Sequence, residues 1–314
     1  MHLLISHAAP PGPQCQAALA QLSLPRLAEL LGLLTAQAPV AGTPGTLTPL
    51  GERVRAQCLG FGGADGLIAW AAADAEQLGL TRQNGNAGWA WITPCHWEPQ
   101  ANHVAMGHPE DLKLSVQECE ALRVALQPYF SSAAIQLHPL ARGPWLAQGD
   151  VFKDLPTASL ERVAGASVDA WLPRQAQARS LRKLQSEMEM LLHTHVANAL
   201  RAARGAPTVN AFWVSGTGTP TAAAASTVQP VRVDASLKPL ARQDNPAAWQ
   251  QAWHALDAGP ITELLKRAKA GQPAALTLCG ERQALRWELQ QQAWWNRLQN
   301  RMGSAVPQQL LGTL

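Results

Sequence analysis

Apolar positions recur along this chain at two spacings, and the expected elements follow from them. Met1–Ser6 is a short apolar run of the kind that makes a buried first strand. Gln16–Gly32 carries helical spacing interrupted at Pro25, and Leu50 opens a further helix after the loop Thr43–Pro49. Gly60, Gly62, Gly63 and Gly66 form a glycine-rich turn ahead of Leu67–Trp70. Gly88–Thr93 alternates large and small residues, as a half-buried strand does, with His103–Met106 as its expected partner. Val116, Cys119, Leu122 and Leu126 mark one face of a helix over Ser115–Pro128, and Ser115 with Glu118 fits a capping box.

The second half is more regular. Arg179–Arg204 reads as one long helix, Val209–Ser215 as a strand and Thr217–Thr227 as a polar loop. Helices are expected over Pro246–Leu256 and Pro260–Ala270, a strand over Leu276–Cys279, and a closing helix over Arg282–Met302. Trp287 and Trp294, seven residues apart, then share a helix face, with Trp295 beside them. Helix alternating with strand predicts an α/β fold with a mostly parallel sheet flanked by helices. Residues 1–314 read as a single unit, with one weakly marked boundary near 140–175.

Composition narrows the function classes. The chain has 314 residues, 47% of them hydrophobic, enough for a sizeable core. Its net charge of +3 is spread without a basic cluster, which argues against nucleic acid as a partner. Five cysteines stand far apart, a pattern unlike a disulfide scaffold or a zinc ribbon. Met1–Ile5 lacks the basic start and apolar core of a signal peptide, and no stretch approaches the roughly 20 apolar residues of a membrane helix. A cytoplasmic protein is expected.

Candidate chemistry concentrates in Leu181–Gly218. His195, Asn198 and Arg201 recur every third residue and would project together from one helical face. Gly205 stands where a helix-ending glycine belongs, and Pro207 follows. Asn210–Ser215 returns as a strand into Gly216-Thr-Gly218, read as a loop able to approach a ligand. A second cluster, Cys95-His96-Trp97 with His103 and His108, offers His96 and His103 as weak metal candidates. Trp89, Trp91 and Trp97 suggest an aromatic binding patch.

The spacing in Leu181–Gly218 resembles a signature of the archaeal-type, cofactor-independent phosphoglycerate mutases. Those enzymes carry His-Pro-x-Asn-x-x-Arg, then Gly, then Asn-x-x-Trp-x-x-Gly-x-Gly. The matching residues here are His195, Asn198, Arg201, Gly205, Asn210, Trp213, Gly216 and Gly218, with Val196 in place of the proline. The whole chain also resembles the proteobacterial E-type members of the "regulation of pathogenicity factors" set. His2-Leu-Leu-Ile, Pro94-Cys-His-Trp97, Leu181–Gly218 and Leu276–Glu281 carry that likeness.

The resemblance implies an alkaline phosphatase-like core, or a reduced form of it. It also implies two divalent metals, Mn or Zn, held by Asp and His: one Asp at the end of the first strand, an Asp-His pair after a late strand. This chain departs from that pattern. Its first strand runs into Ser6-His7, no Asp precedes Asp65, and no Asp is followed by His. The late strand leads into Gly280-Glu281.

Three readings follow. The first is a degenerate mutase homologue without cofactor, regulatory or binding a small anion through His195, Asn198, Arg201, Asn210, Trp213, Gly216 and Gly218. The second is an active metal-dependent phosphatase or mutase with displaced ligands, drawn from His7, Asp65, His96, His103 and Glu281. The third is a module that binds a protein partner, or a second copy as a homodimer, through Trp-rich surfaces.

Overall fold

The structure, a computed structural model, describes residues 1–43, 45–82, 86–140, 144–220, 230–290 and 306–314. The chain divides into two compact units. The first comprises Met1–Pro44, Pro49–Gly60 and Ala225–Leu314, and the second Gly45–Thr48 and Phe61–Ala224. Both chain ends thus build the first unit, and residues 140–175 lie wholly inside the second.

In the first unit, β1 (His2–Ile5) runs parallel to both β10 (Val231–Asp234) and β11 (Ala275–Cys279). β12 (Gln283–Glu288) returns antiparallel on β11, and the short strands β2 (Thr35–Ala36) and β3 (Val40–Ala41) pair antiparallel with β12. The sheet is therefore mixed, not mostly parallel. The reason is local: only Gly280–Arg282 separates β11 from β12, and a parallel return needs a crossover of about a dozen residues or more. The expected closing helix over Arg282–Met302 is corrected by the same strand. Leu285 and Trp287 alternate inward onto the core as strand residues do. Residues 291–305, with Trp294 and Trp295, lie outside the described residues.

Strand alternation divides the sheet's two faces. Leu3, Ile5, Leu276 and Leu278 pack against α1 (Pro13–Ala18), α2 (Pro25–Leu31), α9 (Pro246–Leu256), α10 (Thr262–Lys269) and α11 (Pro307–Thr313). Leu4 and Cys279 face α3 (Leu50–Cys58). Between α9 and α10 one π turn, Asp257–Ile261, accommodates Pro260, which has no N–H to give.

Two helix starts on that face are capped from far along the chain. The buried Asp257 carboxylate accepts the N–H groups of Arg26 (3.2 Å) and Leu27 (2.8 Å), at an α2 start that has no side-chain cap of its own segment. Asp244 does the same for Gln14 and Cys15 of α1, both at 2.8 Å. Asp257→Ala would leave one buried and one part-buried donor unmet and is expected to lower the unfolding free energy by about 1–3 kcal/mol. Urea unfolding checks this; the better solvated Asp244→Ala should lose less.

The second unit is built on an antiparallel sheet ordered β7 (Gln136–His138), β8 (Trp145–Gln148), β4 (Trp89–Cys95), β9 (Ala211–Gly218). β4 is occupied on both sides, by β8 and β9, so it is a buried central strand with no edge left for His103–Met106. That segment instead gives β6 (Val104–Met106), paired with β5 (Trp97–Pro99). α4 (Trp70–Gln77) covers one face. α5 (Val116–Ser132) and α7 (Arg179–Thr194) cover the other, through Leu122, Leu126, Phe130, Leu184 and Met188. The short α6 (Leu160–Val163) lies over β9. The capping box of Ser115 and Glu118 is present, but Val116 is exposed and does not continue the buried stripe.

The expected single helix Arg179–Arg204 is two. His195 takes extended backbone (φ −69°, ψ 135°), and its ring accepts the Ala197 N–H at 3.2 Å, which starts α8 (Val196–Ala203). Of the expected loop Thr217–Thr227, Thr217 and Gly218 finish β9, and residues 221–229 lie outside the described residues. Among the described residues no helix is long and apolar enough to cross a membrane.

Candidate functional site

The residues singled out by the signature are brought together, but inside the second unit. Asn198 spends its whole carboxamide on backbone. It donates to Leu192 O (2.7 Å) and Val209 O (2.6 Å) and accepts from Val209 N (2.8 Å). Arg201, 1% exposed, donates to Pro207 O (2.6 Å), Leu112 O (2.6 Å) and the Glu118 carboxylate (2.8 Å). Asn210 brackets the backbone of Trp97, accepting its N–H at 2.6 Å and donating to its carbonyl at 2.7 Å. The buried Trp213 indole donates to Ala158 O at 2.9 Å.

The glycines have steric reasons of their own. Gly216 (φ +64°) sits at a bulge opposite Trp89–Trp91, where an added Cβ would lie 2.8 Å from the Trp91 ring. A Cβ on Gly218 would lie 2.7 Å from that of Ala69. Gly216-Thr-Gly218 is thus the end of a strand and not a ligand loop. His195 is half-buried and serves as the α8 cap. The face expected to meet an anion therefore ties α5, α7, α8 and β9 together.

Glu118 is the acidic centre of this network. Burial pushes its carboxyl up, but the Ser115 N–H and the Arg201 guanidinium outweigh that and hold it at about 2. It also accepts a bond from the exposed Arg204 at 2.5 Å.

The second cluster does not gather either. Cys95 is fully buried, and burial drives its thiol pKa far up, away from nucleophile or thiolate-ligand chemistry. His96 donates from Nδ1 to Thr208 O at 2.8 Å. His103 is exposed beside Asn102 Oδ1, and Asp65 is occupied by the Leu47 and Thr48 N–H groups at 2.8 and 2.9 Å. Among the described residues no three His, Cys, Asp or Glu side chains stand close enough to hold a metal. Trp89 and Trp287 are buried, while Trp91 and Trp97 are half-buried, so these four do not form an aromatic surface.

Open α/β sheets bind ligands outside the carboxyl ends of their parallel strands. In the first unit β10, β1 and β11 end in register at one edge and deliver Asp234, Ser6-His7 and Gly280-Glu281 there. The Ser6 N–H donates to Asp234 O at 3.1 Å, and the Ala8 N–H to Cys279 O at 2.8 Å. His7 holds a left-handed backbone (φ 56°), rare for a side chain with a Cβ. The Asp234 carboxylate accepts the Ser236 N–H at 3.0 Å.

α3 starts at this edge. Leu50 packs with Leu4 and Cys279, and an added Cβ on Gly51 would lie 3.7 Å from Cys279 Cβ. No side chain caps its amino end, although Glu52 stands in the first turn. One residue on, Arg53 has its Nε and Nη2 buried without a hydrogen-bond partner among the described residues. Sequence reading found the helix start at Leu50 but missed Arg53, because no spacing rule marks a guanidinium whose donors are left over by packing.

Two metals would need about five or six hard ligands. His7, Asp234 and Glu281 are the acids and imidazole that the strand ends deliver, and the Asp234 carboxylate already holds Ser236. This donor set does not fit a two-metal centre.

No protein family matches the chain as a profile, and no curated protein matches it. Solved structures similar to it include two at low sequence identity. The cofactor-independent phosphoglycerate mutase from Thermoplasma acidophilum DSM 1728 is 14% identical, over 100% of this chain and 98% of that chain, with a TM-score of 0.41. The PH0037 protein from Pyrococcus horikoshii is 12% identical, over 92% of this chain and 87% of that chain, with a TM-score of 0.46. Likeness at this level carries no statement about the chemistry of this chain.

Proposed function

We propose that this chain is a cytoplasmic, phosphoglycerate mutase-like protein with a reduced alkaline phosphatase-like core. It binds a small phosphate- or carboxylate-bearing anion at the strand ends of its first unit. Its role is regulatory, not that of a two-metal catalyst. The observation that supports this most is Arg53, whose Nε and Nη2 are buried and unpartnered among the described residues, in the first turns of a helix with no side-chain cap. Buried donors without acceptors are costly, and a planar guanidinium accepts phosphate or carboxylate oxygens in pairs. A helix amino end adds amide N–H groups and the positive end of the helix dipole. The match of Leu181–Gly218 to the mutase signature supports descent from that fold, while its side chains serve as scaffold in the second unit.

Turnover assays with phosphoglycerate and an aryl phosphate, with Mn²⁺ or Zn²⁺ supplied or chelated, test the non-catalytic role. No metal-dependent rate is expected, while inorganic phosphate should raise the melting temperature. A rate that chelation abolishes and His7→Ala removes would replace this reading with a hydrolase using displaced ligands.

A further inference from the structure

The second unit carries an open groove of about 1040 Å³ along the free edge of β7. One wall is a single face of α5, with Arg123, Gln127 and Ser131 at four-residue steps. The lining also takes in Gln136 and Gln148, directly opposite each other on β7 and β8, with Asp150 and Lys153.

Several of these groups are held before any ligand arrives. Gln127 donates to Ser131 Oγ at 2.9 Å and accepts the Leu137 N–H of the edge strand at 3.3 Å. Arg123 is clamped by both oxygens of Glu120, at 2.8 and 2.6 Å, and Lys153 pairs with Asp150 at 3.0 Å. Each cation is therefore balanced by its own carboxylate. Among the described lining residues an anion meets no uncompensated cation, and none of these residues carries an aromatic ring for an apolar ligand. What the groove does offer is a dense mixture of donors and acceptors, among them the four carboxamides of Asn86, Gln127, Gln136 and Gln148, which do both at once.

We propose that this groove is a binding site for a small neutral polyhydroxylated molecule, of the size of a pentose or hexose. Vicinal hydroxyls each donate and accept, so they pair with carboxamides and with the outer edges of neutralised ion pairs without displacing either partner. Recognition by hydrogen bonds alone, in an open groove, sets the expected dissociation constant on the order of millimolar. The site lies within the second unit and stands independently of anion binding in the first.

Titration of the ¹⁵N-labelled full chain with ribose, glucose and myo-inositol tests it, read on side-chain amide resonances, with phosphate and citrate in parallel. At least one polyol is expected to saturate glutamine resonances that Gln136→Ala and Gln148→Ala remove. Each substitution should weaken that binding about fivefold or more. Gln136 is exposed on an edge strand, so its variant keeps the test available even if Gln148→Ala unfolds. Three results would overturn the proposal: no polyol saturating up to about 100 mM, phosphate or citrate saturating these resonances in place of the polyols, or unchanged polyol affinity in Gln136→Ala.

Discussion

Arg201→Met is expected to destabilise the protein by about 3–5 kcal/mol, the usual loss when one partner of a buried, hydrogen-bonded charge pair is removed. The substitution keeps most of the side chain's volume, so packing changes little. What disappears is the donor set for Pro207 O, Leu112 O and Glu118. The two carbonyls belong to separate segments, one after α8 and one before α5, so the loss loosens both at once. Glu118 retains the Ser115 N–H and the exposed Arg204, which keeps the loss toward the lower end of that range. In urea unfolding, Glu118→Gln combined with Arg201→Met should cost less than the two single losses added, because the pair acts as one unit. The same carboxylate sets a pH dependence. Its folded pKa, about 2, lies below the ordinary value of 4.5. The stability it contributes is complete above about pH 4.5 and is lost as pH falls through 2. Glu118→Gln should flatten the unfolding free energy over that window.

Arg53→Gln should weaken phosphate binding about ten- to a hundredfold while leaving the melting temperature of the free protein unchanged or higher. The magnitude is that of one or two charge-assisted hydrogen bonds, about 1.5–3 kcal/mol, at 1.4 kcal/mol per tenfold. The direction of the stability effect separates a ligand group from a scaffold group. Arg201 has partners and its loss should destabilise the fold, whereas the buried Nε and Nη2 of Arg53 have none among the described residues. Calorimetric titration of both proteins with inorganic phosphate reads the affinity, and thermal melts without ligand read the stability.

The contrast between these two arginines also shows what was legible in the sequence. The pattern of apolar positions located β1, an apolar run buried on both faces, and α3, α5 and α9, each of which buries one face. It merged α7 with α8 because His195 interrupts the helix by backbone conformation while leaving the residue spacing intact. It missed β12 because Gln283–Glu288 reads as the opening of a long helix, whereas pairing with β11 across the three-residue turn decides it as strand. At the site, the one-face spacing of Asn198 and Arg201 was correct and their direction was not. α8 is inverted, with Val196 and Leu200 outward at 66% and 65% exposure and the amide and guanidinium turned in. Polarity suggests exposure, but Leu192 O, Val209 O, Pro207 O and Leu112 O need donors, and that demand draws these polar groups inside. The division into two units was hidden because the first is assembled from both ends of the chain.

The central claim, anion binding at the strand ends without a metal centre, is tested most directly by calorimetric titration of phosphate onto protein stripped with chelator. Saturable binding that chelator does not diminish and that Arg53→Gln weakens is the expected result. Binding that appears only after Mn²⁺ or Zn²⁺ is restored, or that Arg53→Gln leaves unchanged, would contradict it.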